Sequence, residues 1–364
     1  MNIENYVDKY NEITKMLFVD MIENGEGKNI IMSPLSVLIL LGIAAESVSE
    51  NTRDEVLGFL RDSADQDVIQ ILTDIEKTVQ ESGSLTSANA VIIAEKIKDK
   101  IKEDYISKVK DMFDAEVFFA GNIVKTVNEW VDRKTNGMIK DIADDSMKDM
   151  LMGLINAVSF ISDWEDIYDE DDIGTYDFNN LDGTISEVEM MESSECSYIE
   201  NDFYTGFTKD YKGGEFCYMA LLPKKKRSKT FFKRAINSSN LTELFKNAED
   251  IEVDVTMPEY KTEFSENLNA LLERNGINQI FTDDADYSPV TDKVSLKTDA
   301  ILHKAYIEVD RRGTKAVAVT FDYAVAGCAP NMDYRVVTLD RPFIYAIIHK
   351  KTGLPVFIGS VNNL

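Results

Sequence analysis

Apolar positions change their period partway along the chain. Near the start, Val7, Tyr10, Ile13, Leu17 and Met21 recur three or four residues apart, the spacing of one helical stripe. Ser33-Pro34 then forms a helix start: a serine accepts from orphan amides, and a proline in the first turn has no amide to satisfy. The apolar run Leu35–Ala45 continues that helix, and Thr52 with Glu55 has the spacing of a capping box opening a third. Residues 67–80 predict an acidic amphipathic helix, and 100–113 and 124–135 predict two more, the second carrying Trp130. Further along, Phe216–Leu222, Ile251–Met257 and His303–Val309 are short, β-rich and often alternating, as strands are. Helices first and strands afterwards, with few strict strand–helix alternations, predict an α+β fold rather than a doubly wound parallel sheet. No repeat or Gly/Ser- or Pro-rich linker divides the chain, so residues 1–364 read as one domain.

One stretch stands apart, Gly313–Arg341. It opens GTKAVAVTFDYAVAG, in which Thr314, Ala316, Ala318, Thr320, Asp322 and Ala324 share one strand face and Val317, Val319, Phe321, Tyr323 and Val325 the other. The first face is small enough to slot between close neighbours. The next residues, CAPNMDYRVVTLDRP, read as an exposed loop. By itself the segment is equally an ordinary strand.

Composition narrows the partners. Lys and Arg total 39 against 65 Asp and Glu, a formal net charge of -26. Duplex nucleic acid and anionic membrane surfaces both require positive patches, so neither is expected, whereas a basic protein partner fits. No apolar run reaches the ~18 residues of a membrane span. The first residues, MNIENYVDKYNEI, are not a secretory signal as they stand; a secreted location with the leader removed is expected over a cytoplasmic one. The three cysteines, Cys196, Cys217 and Cys328, are too few and too widely spaced for a disulfide framework, and no CxxC pair offers a zinc site.

Enzyme motifs are sparse. The only histidines are His303 and His349, and HExxH, GxSxG, GxxxxGK[ST] and GxGxxG are all missing. The acidic run at 163–174 fails as a calcium loop, because Ile173 and Asn180 fall where an oxygen ligand and a bidentate Glu are needed. The basic run at 224–229 follows a strand-like segment and reads as an exposed loop; the formal glycosylation sequons at Asn237 and Asn240 have chance-level specificity. No metal, cofactor or catalytic residue is assigned, and the chain is not expected to be an enzyme.

Seven fragments in order carry a resemblance: NIIMSPLSVLILLGIAAESVSENTRDEVLGFL, SANAVII, VNEWVDRKTNGMIKDI, LINAVSFISDW, MALLP, HKAYIEVDRRGTKA and DRPFIYAIIHKKTGLPVFIGSVNN. Over nearly its whole length the chain resembles a serpin. The resemblance implies eight or nine helices around three β-sheets, and it makes residues 311–341 the exposed reactive-centre loop. In that family the loop is bait: a protease serine attacks it, and the cut loop inserts as a new strand of the largest sheet before the acyl-enzyme can be hydrolysed. Gly313, Thr314, Ala316 and Ala318 match the hinge, and no proline interrupts 313–329. Counting fourteen positions from Gly313 places the cut at Gly327–Cys328, with Ala326 or Cys328 as the specificity residue if the register slips by one or two residues. Ala324, Val325 and Ala326 complete a small apolar subsite sequence, which suits an elastase-like protease and lacks the Arg or Lys that a trypsin-like one needs.

Ser33, Ser36, Asn156 and His303 match the shutter that controls sheet opening, and Trp164 matches the breach where the loop enters. The chain departs from the family pattern at Arg311, Arg312 and Lys315, where acids are usual, and at Glu259, where a lysine is usual; the resemblance therefore implies a charge-swapped Arg311–Glu259 pair. Asp322 faces inward after insertion, where an unpaired carboxylate is costly. The leading expectation is a monomeric suicide-substrate inhibitor of a serine protease, without cofactor; the alternative is a non-inhibitory serpin, a carrier or chaperone-like binder. A heparin cofactor is not expected, because residues 67–80, which match the heparin-binding helix, are mainly acidic.

Overall fold

The computed structural model describes residues 3–63, 67–135, 137, 142–224, 236–237, 240–314 and 335–364. The chain forms two compact units: Met1–Lys9, Pro34–Ser159 and Phe264–Tyr306 in the first, Tyr10–Ser33, Phe160–Glu263 and Ile307–Leu364 in the second.

The first stripe folds as α1 (Val7–Asn24) and buries Tyr10, Ile13, Leu17 and Met21. After β1 (Ile30–Met32), Pro34 opens α2 (Pro34–Ser47), and every residue of α2 is buried. The next helix, α3 (Glu50–Leu60), starts earlier than expected, and the capping box of Thr52 and Glu55 does not form. Both side chains serve another segment of the same unit instead. Thr52 Oγ1 accepts from the Asp286 amide at 3.2 Å, and Glu55 Oε1 accepts from the amides of Asn278 and Gln279 at 2.6 and 2.8 Å. Loop amides that would otherwise be orphaned thus take the acceptors. The helices α4 (Val68–Gln80), capped by Asp67, α5 (Glu103–Phe113) and α6 (Ile123–Lys134), capped by Asn122, lie where the periodicity puts them.

The helices-first order is incorrect. Strands β2 (Leu85–Ala94), β3 (Glu116–Ala120) and β4 (Met152–Phe160) are threaded among those helices. All nine residues of β4 are buried, as are the last six of β2. A strand covered on both faces loses the alternation that marks a half-buried one.

The remaining strands are β5 (Ser162–Asp163), β6 (Ile173–Asn179), β7 (Ile185–Glu195), β8 (Tyr198–Glu200), β9 (Tyr204–Asp210), β10 (Phe216–Pro223), β11 (Val253–Pro258), β12 (Tyr260–Asn267), β13 (Ala300–Asp310), β14 (Gly313–Thr314), β15 (Arg335–Thr338), β16 (Phe343–His349) and β17 (Leu354–Val361). They complete three sheets of an α+β fold. In the second unit one sheet runs β1-β17-β16-β10-β9-β8 and another β15-β11-β7-β6.

The first unit holds the order β3-β2-β4-β13, with β4 and β13 parallel from Gly153↔Ala300 to Ser159↔Tyr306. Val127, Trp130 and Val131 of α6 pack onto this sheet against Ala90, Ile92, Ile155, Ala157 and Leu302. Ile155 and Ala157 flank Asn156, and Leu302 precedes His303, so strand alternation turns Asn156 and His303 to the opposite face.

Trp130 is 3% exposed and meets Phe118 edge-on at 6.2 Å. Trp130→Ala should cost about 3–5 kcal/mol, read as a lower urea midpoint; an unchanged midpoint would show that α6 contributes nothing to the core.

Candidate functional site

Of the residues expected to form the hinge, Gly313 and Thr314 lie in the second unit. Gly313 and Thr314 form β14, paired antiparallel with Asp163 and Ser162 on one side and with Asp310 and Val309 on the other. A Cβ on residue 313 would sit 2.2 Å from the Ser162 carbonyl oxygen and 2.6 Å from Asp163 Cα, so only glycine permits this approach. The turn into β14 is tied by Asp310, whose Oδ1 accepts from the amides of Arg312 and Gly313 at 2.8 and 3.1 Å. Thr314 is fully buried, and its hydroxyl meets that of Tyr211 at 2.6 Å.

Trp164 clamps the turn from the side. Its Nε1 donates to the Asp310 carbonyl at 2.9 Å, its amide donates to the Arg312 carbonyl at 2.8 Å, and its ring stacks on Tyr211 at 4.5 Å. The Tyr168 amide donates to the Arg311 carbonyl at 2.9 Å. Arg311 reaches out of the turn to Glu259: its Nε and its amide both donate to Oε1, at 2.9 and 3.1 Å. Nη2 donates to Glu189 at 3.2 Å, a second acid that was not assigned from the sequence.

Lys209 was not assigned from the sequence either. It is 3% exposed, bonds Glu195 at 2.7 Å, and holds its ammonium 4.6 Å from the Tyr168 ring and 5.7 Å from that of Trp164. One strand lysine carries no sequence signal of such burial; its carboxylate and aromatic partners come from other strands and loops.

The residues expected to form the shutter divide between the units. In the first, Asn156 of β4 and His303 of β13 are register partners, and neither is exposed to solvent. Asn156 Nδ2 donates to Ser87 Oγ at 3.0 Å and to Asn89 Oδ1 at 2.9 Å on β2. Ser36 is buried in the first turn of α2; Ser33, which belongs to the second unit, is buried too. Burial holds the His303 imidazole neutral, with its pKa lowered to about 3. Side chains so enclosed build interior polar contacts and offer no nucleophile to a substrate.

Ala316, Ala318, Asp322, Ala324, Val325, Ala326, Gly327 and Cys328 lie outside the described residues. The structure resumes at β15, whose Arg335–Thr338 run parallel to Val253–Thr256 of β11.

A family model described as "Serpin (serine protease inhibitor)" matches residues 8–364. Mouse neuroserpin (Mus musculus) is 25% identical over 93% of this chain and 87% of its own length. Among solved structures, the thermophilic serpin tengpin in its native state is 31% identical, covers 99% of this chain and 95% of its own, and superposes with a TM-score of 0.89. Tengpin in its latent state, 30% identical over 99% and 98%, gives 0.82.

The Arg311–Glu259 contact generates one expectation. Both side chains are partly exposed, so Arg311→Glu should cost about 1 kcal/mol, and adding Glu259→Lys should recover most of it. A double-mutant cycle with no coupling would reject the pair. His303 gives another. Its imidazole stays neutral in the folded chain, while the unfolded chain takes up a proton below about pH 6.5. Stability is therefore lost as pH falls from about 6.5 toward 3. His303→Gln should flatten that slope in melting temperatures taken at one scan rate; an identical slope would mean that other groups carry it.

Proposed function

The chain belongs to the serpin family, and from that premise we propose that it is a suicide-substrate inhibitor of serine proteases with elastase-like specificity. The family is one of protease inhibitors rather than of catalysts. In this reading the chain is bait, cut once and not turned over.

The observation that carries the reading is the pairing of Gly313 and Thr314. The hinge already forms a two-residue strand bonded on both sides, at Ser162–Asp163 and Val309–Asp310. Further along β13, residues 300–306 are still bonded to β4. Insertion of the cut loop would exchange that β4–β13 ladder for two new ones, beginning from a seed in place. About a dozen inserted residues, each gaining a net ~1 kcal/mol from its ladder bonds, together with buried apolar surface, would exceed the ~5–15 kcal/mol that stabilises an ordinary domain. That gain would drive removal of the attached protease from its own catalytic geometry. Hydrolysis of the acyl-enzyme then stalls, since an oxyanion hole pulled out of shape forfeits the donors that stabilise the tetrahedral intermediate.

The target preference rests on the small residues Ala324, Val325, Ala326 and Gly327 ahead of Cys328, which fit a shallow primary pocket. The net charge of -26 favours a basic protease and an association rate that falls as salt rises.

Incubation with pancreatic elastase should give an SDS-resistant covalent complex and a released C-terminal peptide beginning at or within one residue of Cys328. Clean cleavage with no complex would support the non-inhibitory alternative, and rapid inhibition of trypsin with none of elastase would reject the specificity.

A further inference from the structure

A buried carboxylate in the first unit has no cationic partner among the described residues. Glu76, on α4, is 7% exposed. Its Oε1 accepts from Ser87 Oγ and from Asn89 Nδ2, both at 3.2 Å, whereas its second oxygen has no donor among the described residues. An ionised carboxylate so placed is costly unless a cation approaches it.

The space for one is present. A cavity of about 340 Å³ opens onto Glu76, Ser87 and Asn89, with Met112 and Phe113 forming an apolar part of its wall. The charged groups facing it are Lys77 from α4, Lys110 and Asp111 from α5, Asp114 just beyond α5, Glu116 from β3 and Lys134 from α6. Lys134 is paired with Glu116. The cavity is far larger than a single ion requires, and the described residues hold no cluster of three His, Cys, Asp or Glu that could bind a metal.

We propose that this cavity binds a small organic ammonium compound, its charged head paired with Glu76 and its carbon chain along Met112 and Phe113. Occupancy is transmitted to the sheet by bonds already described. Ser87 and Asn89, which donate to Glu76, are the same two groups that accept from Asn156 of β4. A bound ammonium fixes Glu76 as the acceptor and so holds the β2–β4 seam. Burial is the largest influence on Glu76; with the nearby Asp114 charge, and against the lowering by Asn89 and Ser87, it raises the pKa to about 7. Binding therefore belongs to the ionised form and weakens as pH falls below that value.

The test uses the full chain with 1,4-diaminobutane as the probe and 1,4-butanediol as its neutral counterpart. At pH 8 the diamine should raise the melting temperature saturably and slow amide exchange in 85–94 and 152–160, while the diol should do neither. At pH 5.5 its apparent affinity should fall about thirtyfold, following ionisation of the carboxylate. Glu76→Gln should abolish the response. Asp114→Asn keeps a residue suited to the left-handed backbone found there, at φ 47, and should weaken binding severalfold. An equal response from the diol, an unchanged response in both variants, or no saturable response from the wild-type chain would overturn the site.

Discussion

Along one edge, strand β13 has one partner over most of its length and another at its end. Ala300–Tyr306 run parallel to β4, whereas Val309 and Asp310 run antiparallel to β14. Backbone amides and carbonyls must be paired wherever they are buried, so the ladder on this edge of β13 cannot be left empty. It can only be filled by one strand or by the other. The turn at Asp310–Gly313 and the lack of a side chain at Gly313 set how the second partner begins. Where the described residues resume, β15 runs parallel to β11.

The turn that starts β14 is held by groups that fix its backbone rather than its sequence. Trp164, Tyr168 and Asp310 bond main-chain atoms of residues 310–313, and such contacts tolerate changes in the side chains they bypass. Arg311 and Glu259 meet at 2.9 Å. Lys209 lies beneath this turn, buried against two rings and one carboxylate. Its burial is compensated by the Glu195 bond and by the ring faces together.

Much of the architecture was legible along the chain. The stripes of α1, α4 and α6, the proline that opens α2, and the β-rich runs of β10 and β13 all sit within a few residues of where the sequence puts them. The strands β2 and β4 were not legible from periodicity, because burial on both faces removes the polar half of the pattern. The capping box at Thr52 was legible but wrong, since spacing along the chain cannot reveal that amides of residues 278, 279 and 286 compete for the same acceptors.

The amino-acid sequence by itself determined which residues share a face, the α+β class and the strand-competent run of small residues after Gly313. Those properties follow from local periods, which each segment carries with it. Only the tertiary structure decided that Gly313 and Thr314 pair with Asp163 and Ser162, that Asn156 bonds Ser87 and Asn89, and that Lys209 and Glu76 are enclosed. A strand's period fixes the direction of its side chains and leaves its ladder bonds open to any neighbour. Burial of a charge depends on groups brought together from distant parts of the chain, so neither can be read from one segment alone.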